Sequence, residues 1–322
     1  MKAVVATGYG PPESYSVADV PQPRPGPGQL QVRVAAASIN PADVRLPSGE
    51  FRDSVPLAFP HVPGNDFAGT VTEVGAGVTA FRVGDEIFGQ AIPRALRAMA
   101  GATRPSLSTG SLAEFAVFEA DTPFLAHRPD GLGVEEAAAL PTVGLTARAL
   151  MATAGVRPGE TVLVVGATGG VGTAVVPLLA AAGANVVATA TEADAGVLRA
   201  LGAAETIGYA ESGYPAGVDA AFNLTLPSDR LQGVAAAVRP GGRVLTITFP
   251  VPEPGWLGRD DVDLRFVLDM DGALGGMREV ADLAVAGTLP ATIGRRYRLE
   301  EGPRACVDFA RRHTTGKLVV TM

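Results

Sequence analysis

Thr161-Val162-Leu163-Val164-Val165-Gly166-Ala167-Thr168-Gly169-Gly170-Val171-Gly172 splits into a strand and a turn. Its first five residues are a continuous apolar run, as in a strand buried on both faces. The glycines that follow let the backbone come close to another group, and the stretch from there to Ala182 reads as helix. A helix opening at such a turn offers unpaired N–H groups to a phosphate, so the segment has the makings of a dinucleotide pyrophosphate site. Ala167 stands where the usual fingerprint has its first glycine, and a tight strand-to-helix turn without a ligand would use the same residues.

The next strand is read at Asn185–Ala190, and others at Val218–Leu224 and Arg243–Phe249, with helical stretches between. Upstream, Val134–Leu150 is Ala-rich and reads as one helix. Such alternation predicts a parallel sheet with helices on both faces. Pro177 falls inside the helix after the glycine turn, where it removes a backbone hydrogen bond and predicts a kink. The end of the second strand selects the nucleotide, because an acid there binds the ribose hydroxyls and repels a 2′-phosphate. Thr189-Ala190-Thr191 has no acid and offers hydroxyl donors, which favours NADP(H); Glu192 and Asp194 follow where a basic residue would help.

The first third has a different texture. Leu30–Ala35 alternates apolar and polar residues behind the turn Pro25-Gly26-Pro27-Gly28, and Phe67–Gly75 and Gly84–Gly89 are similar short strands. Together they suggest a small barrel or sandwich. Gln90–Gly110, with Arg94, Arg97 and Arg104, is a long connection that reads either as a solvated loop or as a lid over a substrate. The chain closes with a strand at Gly316–Val320.

Composition narrows the possibilities. The 322 residues carry 26 Lys+Arg against 33 Asp+Glu, a net charge of −7 that argues against a nucleic-acid partner. A 47% hydrophobic content supports a large core. No apolar run reaches membrane-spanning length, and the start Met1–Gly8 is too short in apolar residues for a signal peptide, so a cytoplasmic protein with no membrane partner is expected. A single Cys, Cys306, and three scattered His residues, His61, His127 and His313, leave no disulfide and no Cys-based zinc cluster.

Taken together, Asn40-Pro41-Ala42-Asp43, Pro63–Gly69, Val83-Gly84-Asp85, Ala113-Glu114-Phe115, Glu136–Pro141, Gly144–Ala147, Gly166–Gly172, Leu201-Gly202-Ala203 and Gly316-Lys317 run along nearly the whole chain. In these motifs the sequence resembles the medium-chain dehydrogenase/reductase superfamily, in its zinc-free quinone oxidoreductase and enoyl reductase branch. The resemblance implies an α/β protein with a GroES-like β-barrel catalytic domain (1–124 and 268–322) and a doubly wound Rossmann-type NADP(H)-binding domain (125–267). Alcohol dehydrogenases of the superfamily carry a Cys near position 38 and a Gly-His-Glu triplet; here the triplet reads Gly64-Asn65-Asp66, so zinc-dependent alcohol oxidation is not expected.

The implied chemistry is hydride transfer from NADPH to a quinone or an α,β-unsaturated carbonyl, a small-molecule acceptor that is already electron-poor. Asn40 matches the family's active-site amide, with a turn residue ahead of Pro41 as the other reading. Phe51 replaces the family's Tyr and has no proton to give, which leaves water or another group as the acid. The resemblance assigns cofactor contacts to Thr142, Thr146, Ala167, Thr168, Gly169, Gly170, Val171, Thr189, Thr191, Tyr209 and Lys317, and Asn223 and Phe249 fall at strand ends on the ligand-binding rim. For Tyr209 a surface aromatic at a strand end is the alternative. A homodimer is also implied, with Arg243–Thr248 as the candidate edge strand. Reduction of a polyketide or ring intermediate, or a low-turnover NADPH-binding sensor or structural protein, are the competing readings.

Overall fold

The computed structural model describes residues 1–91, 110–209 and 213–322. Contacts group them into two units, Met1–Thr142 with Met270–Val285 and Ile293–Met322, and Val143–Asp269 with Ala286–Thr292. The expected bounds differ from these chiefly by residues 125–142. The connection read as a solvated loop or a lid lies, over residues 92–109, outside the described residues.

The first unit begins with β1 (Lys2–Val5) and β2 (Ser16–Asp19), an antiparallel pair. Then come β3 (Gln29–Ser38), α1 (Pro41–Arg45), β4 (Asp66–Val74), β5 (Glu86–Gln90), β6 (Phe115–Glu119), β7 (Leu125–His127) and α2 (Val134–Ala139). The second unit contains α3 (Pro141–Ala154, except its first two residues), β8 (Thr161–Val165), α4 (Gly170–Ala181), β9 (Asn185–Thr189) and α5 (Ala195–Ala200). It continues with β10 (Glu205–Ile207), β11 (Val218–Asn223), α6 (Gln232–Ala237), β12 (Val238–Thr246) and β13 (Asp263–Phe266). The chain returns to the first unit with α7 (Met277–Val285), β14 (Ile293–Arg298), α8 (Gly302–Arg311) and β15 (Lys317–Thr321).

In the first unit β14, β15, β3, β4, β5 and β7 lie side by side in that order, and β6 also pairs with β3. β15 runs antiparallel to β3 and parallel to β14, so the last strand sits inside the sheet. Leu30, Val32, Val34, Phe67, Val71, Ile87 and Phe118 fill the interior with Leu318 and Val320, as the alternation along these strands requires.

The second unit is a parallel sheet in the order β10-β9-β8-β11-β12-β13, the doubly wound arrangement. Its strand order reverses between β8 and β11, which makes the C-terminal end of β8 the switch point where such sheets bind ligands. Val162–Val165 are buried, in keeping with their uninterrupted apolar run.

Three expectations change. The helix read over Val134–Leu150 is two helices, α2 and α3, broken at Leu140, because Pro141 has no N–H to continue the ladder and instead starts a helix. Strand β12 ends at Thr246, and Phe249 follows outside it. Arg243–Thr248 is not an edge either: Val244 faces Leu264 and Leu245 faces Arg265 on β13, which is the outer strand. Asp263-Leu264-Arg265-Phe266 mixes charge with apolar residues over four positions, too short a pattern to announce a strand. Helix α4 runs through Pro177 to Ala181. Among the described residues no helix is long and apolar enough to cross a membrane.

Candidate cofactor and active site

In the second unit the site is built on backbone. Gly166 ends β8 at φ +88°, in the left-handed region, and a Cβ there would lie 3.0 Å from the side chain of Thr225. Its N–H donates to Thr189 Oγ1 at 2.9 Å, so the end of β9 holds the turn in place. Gly169 caps α4 and Gly170 begins it. A Cβ on Gly172 would stand 2.3 Å from the Ala167 carbonyl oxygen, so only glycine lets the first turn of α4 lie against residue 167. Ala167 itself is buried, and no described non-glycine residue has a positive φ, so the alanine substituted into the fingerprint is unstrained. The half-buried Gly170 and Val171 lie in the first turn of the helix, where N–H groups have no intrahelical acceptor. These residues fit a dinucleotide pyrophosphate.

Around the turn, Thr168 Oγ1 and Tyr209 Oη share a hydrogen bond of 2.7 Å, which places Tyr209 beside the glycine turn although its side chain remains 44% exposed. Burial of the rest of the ring pushes the Tyr209 phenol above its ordinary pKa. Thr191, expected as a free donor, gives its hydroxyl proton to the Asp194 carboxylate and accepts the Asp194 N–H at 3.3 Å. Ala190 is buried, its N–H bonded to the Ile207 carbonyl at 2.7 Å. Asn223 is fully buried and its amide holds the loop beyond β11: Nδ2 donates to Leu226 O at 2.8 Å and Thr246 Oγ1 at 2.9 Å, and Oδ1 accepts the Leu226 N–H at 2.9 Å. The Asn223 side chain thus braces the loop that follows β11. Phe249 is 41% exposed and meets Phe266 edge-on at 5.5 Å. Thr146 lies half-buried one helical turn after Thr142 on α3.

In the first unit the site is built from side chains. The register pairs Ser38 of β3 with Asp66 of β4 on one side and with Val319 of β15 on the other. That brings Lys317, Asp66 and Asn40, all buried, into one cluster. The Lys317 ammonium donates to Asn40 Oδ1 at 2.6 Å, to the Ile39 carbonyl at 2.9 Å and to Asp66 Oδ2 at 3.4 Å. Asp66 also accepts from Ser38 Oγ at 3.2 Å, and from the N–H and hydroxyl of Thr142 at 3.1 and 2.5 Å. Lys317 was expected to reach toward the cofactor, but its three donors are committed within this cluster. Burial lowers the pKa of Lys317, against the pull of Asp66 and Asp43.

Asn40 is the N-cap of α1, and its backbone N–H donates to Asp43 Oδ2 at 2.7 Å. The turn reading and the amide reading of Asn40 thus describe different parts of one residue. Asp43 also accepts the Gly64 N–H at 3.0 Å, yet burial dominates and raises its pKa to about 7. Phe51 packs beneath the Arg45 guanidinium, 5.0 Å from its ring centre. In the sequence Asp66 stands only as a motif letter, whereas Asp43 reads as a residue that shapes the loop after Asn40 and does not transfer protons. Their signal was present: each is a lone acid in an apolar stretch, which folding buries only with partners. Among the described residues, no group of three or more His, Cys, Asp or Glu side chains could hold a metal.

The family model for the alcohol dehydrogenase GroES-like domain matches residues 26–130, and that for zinc-binding dehydrogenases matches residues 201–320. A chloroplast envelope quinone oxidoreductase homolog from Arabidopsis thaliana is 41% identical over 123 residues, 38% of this chain and 33% of that protein. A 2-methylene-furan-3-one reductase from Solanum lycopersicum is 31% identical over 244 residues, 74% of this chain and 58% of that protein. The chain therefore spans between a third and three-fifths of these two relatives. A crystal structure of an NAD-dependent alcohol dehydrogenase, 30% identical and covering 100% of both chains, superposes with a TM-score of 0.86. With both family models on its two halves and this likeness over its full length, the chain belongs to the medium-chain dehydrogenase/reductase family and resembles its quinone oxidoreductases and enoyl reductases.

Proposed function

We propose that the protein is an NADPH-dependent, metal-independent reductase of quinones or α,β-unsaturated carbonyls. The observation that carries this reading is the glycine turn at the switch point of the second unit's sheet, with the Thr168 and Tyr209 hydroxyls hydrogen-bonded beside it. The relatives named as a quinone oxidoreductase homolog and as a reductase of an enone support the acceptor class. Gly170 and Val171 would hold the pyrophosphate by backbone N–H groups, with Gly169, whose own N–H donates to the Gly166 carbonyl at 3.2 Å, lying against it for want of a side chain. Thr168 and Tyr209 would meet the 2′-phosphate, with Ala190 leaving no carboxylate against it. When bound, the nicotinamide supplies the hydride.

Asn40 then acts as the donor that stabilises negative charge on the acceptor's oxygen, the part of the reaction a protein can accelerate by preorganisation. Phe51 contributes shape and no proton, so the proton is drawn from water. Steady-state oxidation of NADPH against a panel of small quinones and enones tests the reading. Turnover that survives exhaustive chelation and exceeds turnover with NADH is expected. Tight NADPH binding with no turnover on any acceptor would favour a sensor or structural role instead. Pairing of two copies through the exposed β13 edge is part of this proposal, and sedimentation should give twice the 32.8 kDa chain mass.

A further inference from the structure

Lys317 touches the one amide to which the proposed reaction assigns a donor's work. An ammonium has donors only, so its 2.6 Å bond to Asn40 fixes which end of the amide faces it: Oδ1 toward Lys317, Nδ2 away. One hydrogen of Nδ2 reaches the Ser38 carbonyl at 3.3 Å. The described hydrogen bonds leave its second hydrogen available.

The ammonium cannot swing. Asp66 holds it from one side and the Ile39 carbonyl from another, while Thr142 and Ser38 hold Asp66. All of these contacts lie within the first unit. A cation on the oxygen side of an amide also draws electron density toward it and strengthens the N–H groups at the other end as donors.

We propose that Lys317 is a positioning residue: it locks Asn40 in the rotamer that presents Nδ2–H, and polarises it, so that the amide donates to the oxygen that gains charge during reduction. This rests on the reading of Asn40 given above. Without the ammonium the amide can turn over and present Oδ1, an acceptor facing a developing anion. Turnover would then fall while nucleotide binding stays intact.

The test compares Asn40→Ala, Lys317→Met and the two combined, with NADPH and a small quinone. Lys317→Met should lower kcat roughly tenfold to a hundredfold and leave the Kd for NADPH within about twofold. The combined variant should be no slower than Asn40→Ala alone, because Lys317 acts through Asn40. Should Lys317→Met fail to fold, Lys317→Met with Asp66→Asn removes both buried charges and serves in its place. Unchanged kcat in folded Lys317→Met, or losses that multiply in the combined variant, would overturn the positioning role while leaving Asn40 as the donor. Unchanged kcat in Asn40→Ala would overturn the donor reading and the inference with it. A readout independent of turnover is the side-chain NH2 pair of Asn40 in a nitrogen–proton correlation spectrum, identified by its loss in Asn40→Ala. It should shift in Lys317→Met, and an unmoved pair would mean the ammonium does not hold the amide.

Discussion

The glycine turn of the second unit and the charged cluster of the first solve opposite problems. The turn must leave N–H groups unsatisfied for a ligand, and it does so within one short run of chain, where Gly166, Gly169 and Gly172 shape the approach and the first turn of α4, at Gly170 and Val171, presents the N–H groups. The cluster must leave no buried charge unpaired, and it gathers Ser38, Asn40, Asp66, Thr142 and Lys317 from across the chain until each charge has partners. A binding cradle made of backbone is a local object; a buried ionic cluster is made by strand register.

The comparison breaks most visibly at Lys317. Lys317→Met leaves the Asp66 carboxylate buried without its cation and should cost about 3–5 kcal/mol of stability in urea unfolding. Adding Asp66→Asn should recover most of that loss. A pH series probes the same cluster at Asp43. The unfolded carboxyl loses its proton near pH 4. The folded one keeps it to about 7, so the folded state binds more protons in between. Stability from this group is therefore present at low pH and falls as pH rises through that window. Asp43→Asn should abolish this fall, read as the difference in urea midpoint between mildly acidic and mildly alkaline buffer.

The turn should respond differently. Gly172→Ala forces a Cβ against the Ala167 carbonyl and should cost about 1–3 kcal/mol, with a weakened NADPH affinity measured by fluorescence titration. The smallest effect is expected at Asp194, whose carboxylate holds Thr191 near the proposed 2′-phosphate position. Asp194→Ser should tighten NADPH roughly threefold to tenfold and leave NADH unchanged, the gain shrinking as salt is added.

The same contrast explains what the sequence disclosed. Strand β8 and its turn were legible because apolar run, glycines and helix follow one another within Thr161–Ala181. The break at Leu140 was missed because the alanine-rich pattern is continuous across it, although Pro141 carried the signal. The pairing of Lys317 with Asn40 and Asp66 was not legible at all: motifs name each residue, but only the register of β15 and β4 against β3 brings them into contact. The hold of Asn223 on Leu226 was hidden for a related reason, since a strand-end position says where a side chain starts and not which loop it will hold.

The position of β15 inside the first unit's sheet has a consequence for synthesis. Asp66 and Lys317 are 251 residues apart in the chain, so at about 5–20 residues per second the carboxylate waits roughly 10–50 s for its cation. During that time the edge of β3 that will take β15 is unpaired, and Asp66 has reason to stay in water. The second unit draws nearly all its residues from one continuous stretch, Val143–Asp269, and can close meanwhile. On the ribosome the unit that starts first is thus the one that finishes last, and its exposed strand edge is the surface a nascent-chain chaperone would find.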